Sequence, residues 1–180
     1  MLARYLAIDR DRARELHKNQ RYGHMPYTFH LDAVLSVALE FYITDEDILR
    51  ATRYHDAIED TEAVFEDIQA WAGTRVAELA WAVTLEDGKN RREKFQAAAP
   101  KIVATRGATI LKLCDRVANV RNCWQELADQ DANKRNKSKL GMYRKEYPMF
   151  RKALYNTDPD YTETEMALWA ELDRLLAWNP

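Results

Sequence analysis

Cysteine is nearly absent: Cys114 and Cys123 are the only two in 180 residues. Nine residues apart, they make neither a zinc clip nor the framework of a secreted domain. They read as small core residues in a reducing compartment. Glycine and proline are also scarce, at five each, which favours long helices with few interruptions. No apolar run approaches the ~18 residues of a membrane span, and Met1 to Arg14 is too charged for a signal peptide. The expected location is the cytoplasm. A formal charge of only −2 removes the bulk attraction that drives binding to nucleic acid or membranes. Neither a repeat nor a low-complexity linker divides the chain.

What is present is an ordinary globular balance, 47% apolar and 31% charged, in a length that suits one domain over 1–180. Apolar residues recur at helical spacing. Leu2, Leu6, Ile8, Ala13 and Leu16 mark a helix over about 2–19;. A loop, Arg21 to Thr28, contains Gly23 and Pro26. Leu31, Val34, Leu35, Ala38, Leu39 and Tyr42 form a stripe on a helix over about 29–42;. Thr44, with Asp47 three residues on, reads as a cap opening a helix to about Asp60;. Further helices are expected at about 63–71, 73–84, 89–98, 105–128 and 136–156, punctuated by Gly73, Gly88 and Pro100;. Asp129 to Lys139 reads as a turn region. Thr162 to Glu165 is a capping box ahead of a last helix, about 162–178, carrying Leu168, Trp169, Leu172 and Leu176. Trp169 and Trp178 are expected in the core or at an interface. With no period-two stretch, the fold is expected to be all-α.

The sharpest chemical signal is His55-Asp56-Ala57-Ile58-Glu59-Asp60. On a helix, spacings of four align His55 with Glu59 and Asp56 with Asp60. Carboxylates that close repel one another unless a cation neutralises them. Imidazole and carboxylate without thiolate suit Mn²⁺, Fe²⁺, Mg²⁺ or Zn²⁺. One helix cannot close a coordination shell, and two further ligands are available. His30 follows the Pro26-Tyr27 loop, and Asp115 sits in an apolar helix where a buried acid needs a partner. Asn119 lies one turn beyond Asp115. Taken singly, His30 could bond backbone and Asp115 could pair with Arg116 or Arg121. His17 is expected to order the loop, and His24 to lie on the surface. Tyr143, Tyr147 and Phe150 read as core aromatics.

The order His30, His55-Asp56, Asp115 resembles the HD superfamily of phosphohydrolases. Four flanked motifs resemble more specifically the hydrolase domain of the RelA/SpoT alarmone enzymes and the stand-alone small alarmone hydrolases. They are His17-x-x-Gln20-Arg21, Pro26-Tyr27-x-x-His30, His55-Asp56-x-x-Glu59-Asp60-Thr61, and Lys112-Leu113-x-Asp115-Arg116-x-x-Asn119-x-Arg121. The similarity spans about residues 5–155. It implies a single-domain HD-type helical bundle with Mn²⁺ held by His30, His55, Asp56 and Asp115. Glu59 and Asp60 would stand at the attacking water, and Arg21, Asn119 and Tyr143 at the nucleotide. The implied reaction removes the 3′-pyrophosphate of guanosine tetra- or pentaphosphate. A chain of this length leaves no room for a synthetase, so degradation without synthesis is expected.

The chain departs from the family at Asn19, Leu31, Arg53-Tyr54 and, most relevant to substrate, Tyr22, where a basic residue is common. Lys89, Arg91 and Arg92 are candidates to replace that charge, against a plain reading as a solvated face. Two other functions remain open. One is an HD phosphohydrolase acting on a nucleoside monophosphate or on a dinucleotide bearing a 2′- or 3′-phosphate. The other is a non-catalytic antitoxin or regulator. The reading leaves room for a homo-oligomer and for a toxin partner, and expects neither nucleic acid nor membrane.

Overall fold

The structure, a computed structural model, describes residues 1–125, 133–155 and 157–177, and of 133–137 only the backbone. Trp178 and the first part of the expected turn, Asp129 to Ala132, lie outside the described residues. In chain order the elements are α1 (Leu2–Leu16), β1 (Arg21–Tyr22), β2 (Met25–Pro26), α2 (Thr28–Glu40), α3 (Glu46–Ala51) and α4 (Ala57–Asp60). There follow α5 (Phe65–Ala72), α6 (Thr74–Val83), α7 (Arg91–Ala104), α8 (Ala108–Gln125), α9 (Asn133–Leu154) and α10 (Thr162–Ala177). The fold is all-α. The expected loop after α1 holds one correction, a two-residue antiparallel hairpin pairing Arg21 with Pro26 and Tyr22 with Met25.

The axis of the bundle is α8, which packs against α2, α3, α6, α7, α9 and α10. Its residues are buried on nearly every side, as an interior helix requires. Cys114 and Cys123 are both buried in it. Asp115 and Arg116 are therefore polar groups inside the core, and each needs a partner there. Among the described residues, no helix is long and apolar enough to cross a membrane.

The segment carrying His55 and Asp56 differs from the continuous helix expected. Asp45, rather than Thr44, caps α3, accepting the N–H groups of Asp47 and Ile48 at 3.0 and 3.3 Å. After Ala51 the backbone tightens: the N–H groups of Arg53, Tyr54 and Ala57 reach the carbonyls of Arg50, Ala51 and Tyr54, each three residues back. The imidazole of His55 takes the Thr52 carbonyl at 3.0 Å, an acceptor a regular helix would use for its own ladder. His55 and Asp56 thus stand in a turn between α3 and the short α4. A buried clamp holds this turn: Asp9 of α1 accepts from Arg50 Nε at 2.7 Å and from the Tyr54 hydroxyl at 2.8 Å. Removing one member of such a buried pair costs about 3–5 kcal/mol.

Other expectations shift at helix ends. Pro100 lies inside α7 instead of ending it. It sits on the exposed face with Gln96, whose orphaned carbonyl water can satisfy. Leu39 and Tyr42, assigned to the α2 stripe, are exposed; α2 ends at Glu40, and Tyr42 turns with φ 56°. Lys134 to Lys139 belong to α9, not to a turn. At the expected capping box the Thr162 hydroxyl donates to the Pro159 carbonyl at 3.2 Å, and Asp158 caps a short 3-10 turn, Pro159–Tyr161, that precedes α10. Glu165 instead accepts from the Asp158 N–H and from Trp169 Nε1, at 3.1 and 2.9 Å.

Candidate functional site

Four side chains from three parts of the chain meet at one point. His30 comes from the first turn of α2, His55 and Asp56 from the turn before α4, and Asp115 from α8. His30 Nε2 lies 3.2 Å from His55 Nε2, 3.4 Å from Asp56 Oδ2 and 3.3 Å from Asp115 Oδ1. His55 Nε2 lies 2.9 Å from Asp56 Oδ2 and 3.7 Å from Asp115 Oδ1. His30, His55 and Asp56 each offer a ligand atom within 4.8 Å of the other two.

Three observations test whether these residues fit a divalent ion. First, the His55 Nδ1 proton goes to the Thr52 carbonyl, leaving the Nε2 lone pair aimed inward, the second-layer arrangement metal-binding histidines use. Second, donor spacings of 2.9–3.7 Å suit bonds of about 2.1 Å to one centre, which place neighbouring donors roughly 3.0–3.4 Å apart. Third, the cluster demands positive charge. Burial alone would lower the His30 pKa, yet hydrogen bonds to Asp115 and Asp56 overcome it and raise the value to about 9. Burial pushes Asp56 and Asp115 up, but the summed pull of His55 and His30 on Asp56, and of Lys112, His30 and His55 on Asp115, holds both well below the usual carboxylate range. A proton on His30 here does what a bound cation would do. The residues fit.

Around this centre is a cavity of about 250 Å³, lined by Tyr22, Tyr27, Glu59, Asp60, Lys112 and Asn119 among others. Tyr27 donates its hydroxyl to Asp56 Oδ2 at 2.6 Å and to Asp60 Oδ2 at 3.2 Å. Burial, then the charge of Asp56, raises its pKa far above the ordinary phenol, so it remains a donor. Asp60 is itself raised, by burial first and by the charge of Asp56 second. The Asp60 carbonyl accepts from Gln20 at 2.5 Å, Gln20 bonds His17, and the His17 ring stacks on Tyr27. Glu59 does not share a column with His55, because the helix breaks between them. Its Oε2 accepts the Leu85 N–H at 3.1 Å, and the residue lines the cavity.

The predicted nucleotide contacts divide. Asn119, Tyr143 and Arg91 line the cavity. Asn119 bonds Asp115 Oδ1 at 2.5 Å and accepts the Tyr22 hydroxyl at 2.9 Å. The structure does not bring Arg21, Lys89 or Arg92 to the cavity wall. Arg21 is exposed on β1, Lys89 is exposed in the loop before α7, and Arg92 points to a separate groove. One helical step of 100° separates Arg91 from Arg92 and sends them to different faces. Asp115 pairs with Lys112 at 3.4 Å and not with Arg116 or Arg121; these arginines are engaged by Glu146 and by Glu40 and Glu171.

Sequence reasoning missed several lining residues. Tyr22, noted only as standing where a basic residue is common, stacks on His30 with centroids 4.8 Å apart. Tyr27, Lys112 and Arg116 stood inside quoted motifs without a role. Their positions next to His30 and Asp115 in sequence were the available signal; for Glu146, distant in sequence, there was none.

No family model matches the chain. The "guanosine-3′,5′-bis(diphosphate) 3′-pyrophosphohydrolase MESH1" of Drosophila melanogaster is 35% identical over 102 residues, 54% of this chain and 55% of that one. Its namesake from Danio rerio is 32% identical over 117 residues, 61% of this chain and 64% of that one. The chain resembles the RelA/SpoT-type HD hydrolases. The "bifunctional (p)ppGpp synthase/hydrolase SpoT" of Escherichia coli K12 is 34% identical over 117 residues, 61% of this chain and 16% of its own length. The matches thus span a little over half to under two thirds of the MESH1 relatives and a small part of SpoT. A solved structure described as a metazoan ortholog of SpoT that hydrolyzes ppGpp superposes with a TM-score of 0.66 at 23% identity, covering 93% of this chain and 95% of that one. That likeness establishes the HD-type helical fold.

Proposed function

We propose that residues 1–180 act as one domain that hydrolyses guanosine 3′,5′-bis(diphosphate) at its 3′-pyrophosphate, with a divalent ion, Mn²⁺ in the first instance, as cofactor. The observation that carries this reading is the convergence of His30, His55, Asp56 and Asp115 under a cavity that also holds Glu59 and Asp60. The similarity to guanosine bis(diphosphate) pyrophosphohydrolases supports the substrate class.

The four converging side chains would hold the ion, which when bound would supply a Lewis acid and lower the pKa of water. The rest of the chemistry falls to the chain. Asp60, its proton affinity raised by burial and by Asp56, takes the proton of the attacking water, and Glu59 orients that water. Tyr27 fixes the rotamers of Asp56 and Asp60 through one hydroxyl. Lys112 and Arg116, both on the cavity wall, offset charge on the phosphates. Tyr143 presents a buried ring on which a base can stack.

The direct test is a substrate panel. Guanosine tetraphosphate with Mn²⁺ should turn over far faster than any nucleoside monophosphate. The reverse order would replace this reading with that of a monophosphate hydrolase.

Ion binding should also depend on pH. The ion-free His30 pKa, about 9, lies above the ordinary 6.5. Between those values the folded protein keeps a proton that an incoming ion must displace. Affinity should therefore rise with pH through this window and level off above about 9;. Titration calorimetry at pH ~7.5 in two buffers of different ionisation enthalpy should show about one proton released per ion. Binding without proton release would contradict the assignment of His30.

A further inference from the structure

The catalytic cavity is small for a nucleotide carrying two phosphate arms. At about 250 Å³ it falls just below the usual 300–1,000 Å³ of ligand pockets. Its outer wall is Glu146 and Met149 on α9, and the same two residues line a second groove, about 740 Å³, between α7 and α9. That groove carries three exposed cations, Arg92, Lys145 and Lys152. Among the described residues none of the three is in an ion pair, and the groove's single carboxylate, Glu146, is already taken. Glu146 accepts from Arg91 at 2.9 Å and from Arg116 at 3.4 Å.

The partition is built for exchange. Arg116 is buried, with its guanidinium 4.2 Å from the Phe150 centroid and 4.8 Å from that of Tyr143. Its one carboxylate contact is long. Arg91 is half exposed and can move. A phosphate group is a better partner for a paired guanidinium wall than one carboxylate, since it offers more oxygens and more charge.

We propose that the α7–α9 groove is the subsite for the second, 5′-phosphate arm of the nucleotide. Glu146 is the displaceable partition between it and the catalytic cavity. This rests on the reading of the cavity as the place where the 3′-arm is cut. The arm crosses the rim at Arg91 and Arg116, takes over the contacts Glu146 makes at rest, and ends among Arg92, Lys145 and Lys152. Basic residues read in the sequence as one cluster thus act from two sides of one wall.

The test uses guanosine 5′-diphosphate, which carries the second arm alone, and equilibrium binding by calorimetry on the metal-loaded protein. Replacing Arg92, Lys145 and Lys152 together by Gln, all exposed and safe for folding, should weaken binding about tenfold or more. Removing three charges elsewhere, at Arg4, Arg14 and Lys18 on and just beyond α1, should change it far less. Unchanged affinity in the groove variant, or an equal loss in the control, overturns the subsite. Glu146→Gln should bind the diphosphate more tightly, because the internal competitor loses its charge; weaker binding overturns its role as a partition. The two readings fail separately. A protein that does not cleave guanosine tetraphosphate but loses diphosphate affinity in the groove variant keeps the subsite and loses the proposed reaction. One that cleaves it while the groove variant binds normally does the opposite.

Discussion

Asp56→Ala and His55→Ala should each yield a folded protein without its ion and without measurable turnover. Each removes a donor from a cluster whose members lie 2.9–3.7 Å apart. Losing even an outer partner of a metal ligand typically costs 10–100-fold in affinity, so losing a ligand should cost more than ~100-fold. The parent should be stabilised by its ion in proportion to saturation, about 2.7 kcal/mol at a hundredfold excess over Kd. For a chain of this size that is a Tm difference of roughly 5–10 °C on chelation. Neither alanine variant should show that difference. Stoichiometric metal in both, measured by elemental analysis, would remove the assignment.

Glu59→Gln and Asp60→Asn should keep the ion and the chelation-sensitive Tm but lose turnover. Neither carboxylate is among the four converging side chains, and both replacements preserve shape. General acid–base contributions run to about 10²–10⁴ in kcat. Asp60→Asn should suffer more. Its carboxylate is the one whose proton affinity is raised by its surroundings, while one oxygen of Glu59 is already bound to the Leu85 N–H. Near-parental kcat in both variants would place the base elsewhere.

The sequence carried the helical class and the meeting of His30, His55, Asp56 and Asp115, because periodicity and ordered motifs are local signals. It did not carry the break after Ala51. That break comes from the His55 ring competing for the Thr52 carbonyl and from the clamp of Asp9 on Arg50 and Tyr54, a contact across more than forty residues. The column argument for His55 and Glu59 failed with it, although both residues still reach the site. Pro100 misled for a different reason. A proline on an exposed face leaves its orphaned carbonyl to water, so the helix runs on. The basic run from Lys89 to Arg92 was one feature on paper and three directions in space. Which cation faces the cavity was decided by where α7 begins, at the Asn90 cap, which accepts the Glu93 N–H at 3.0 Å. Glu146 and the groove behind it were invisible, because their meaning depends on α9 lying against α7 and α8.

The proposed reaction is the attack of water on the 3′-pyrophosphate of guanosine bis(diphosphate) at this site. Phosphorus NMR of a reaction run to completion with Mn²⁺ tests it most directly, because it identifies the phosphorus species released. Guanosine 5′-diphosphate and inorganic pyrophosphate should appear in equal amounts, with none formed by Asp60→Asn over the same time. Orthophosphate as the released species, or an unchanged substrate spectrum with the metal-loaded protein, would contradict it.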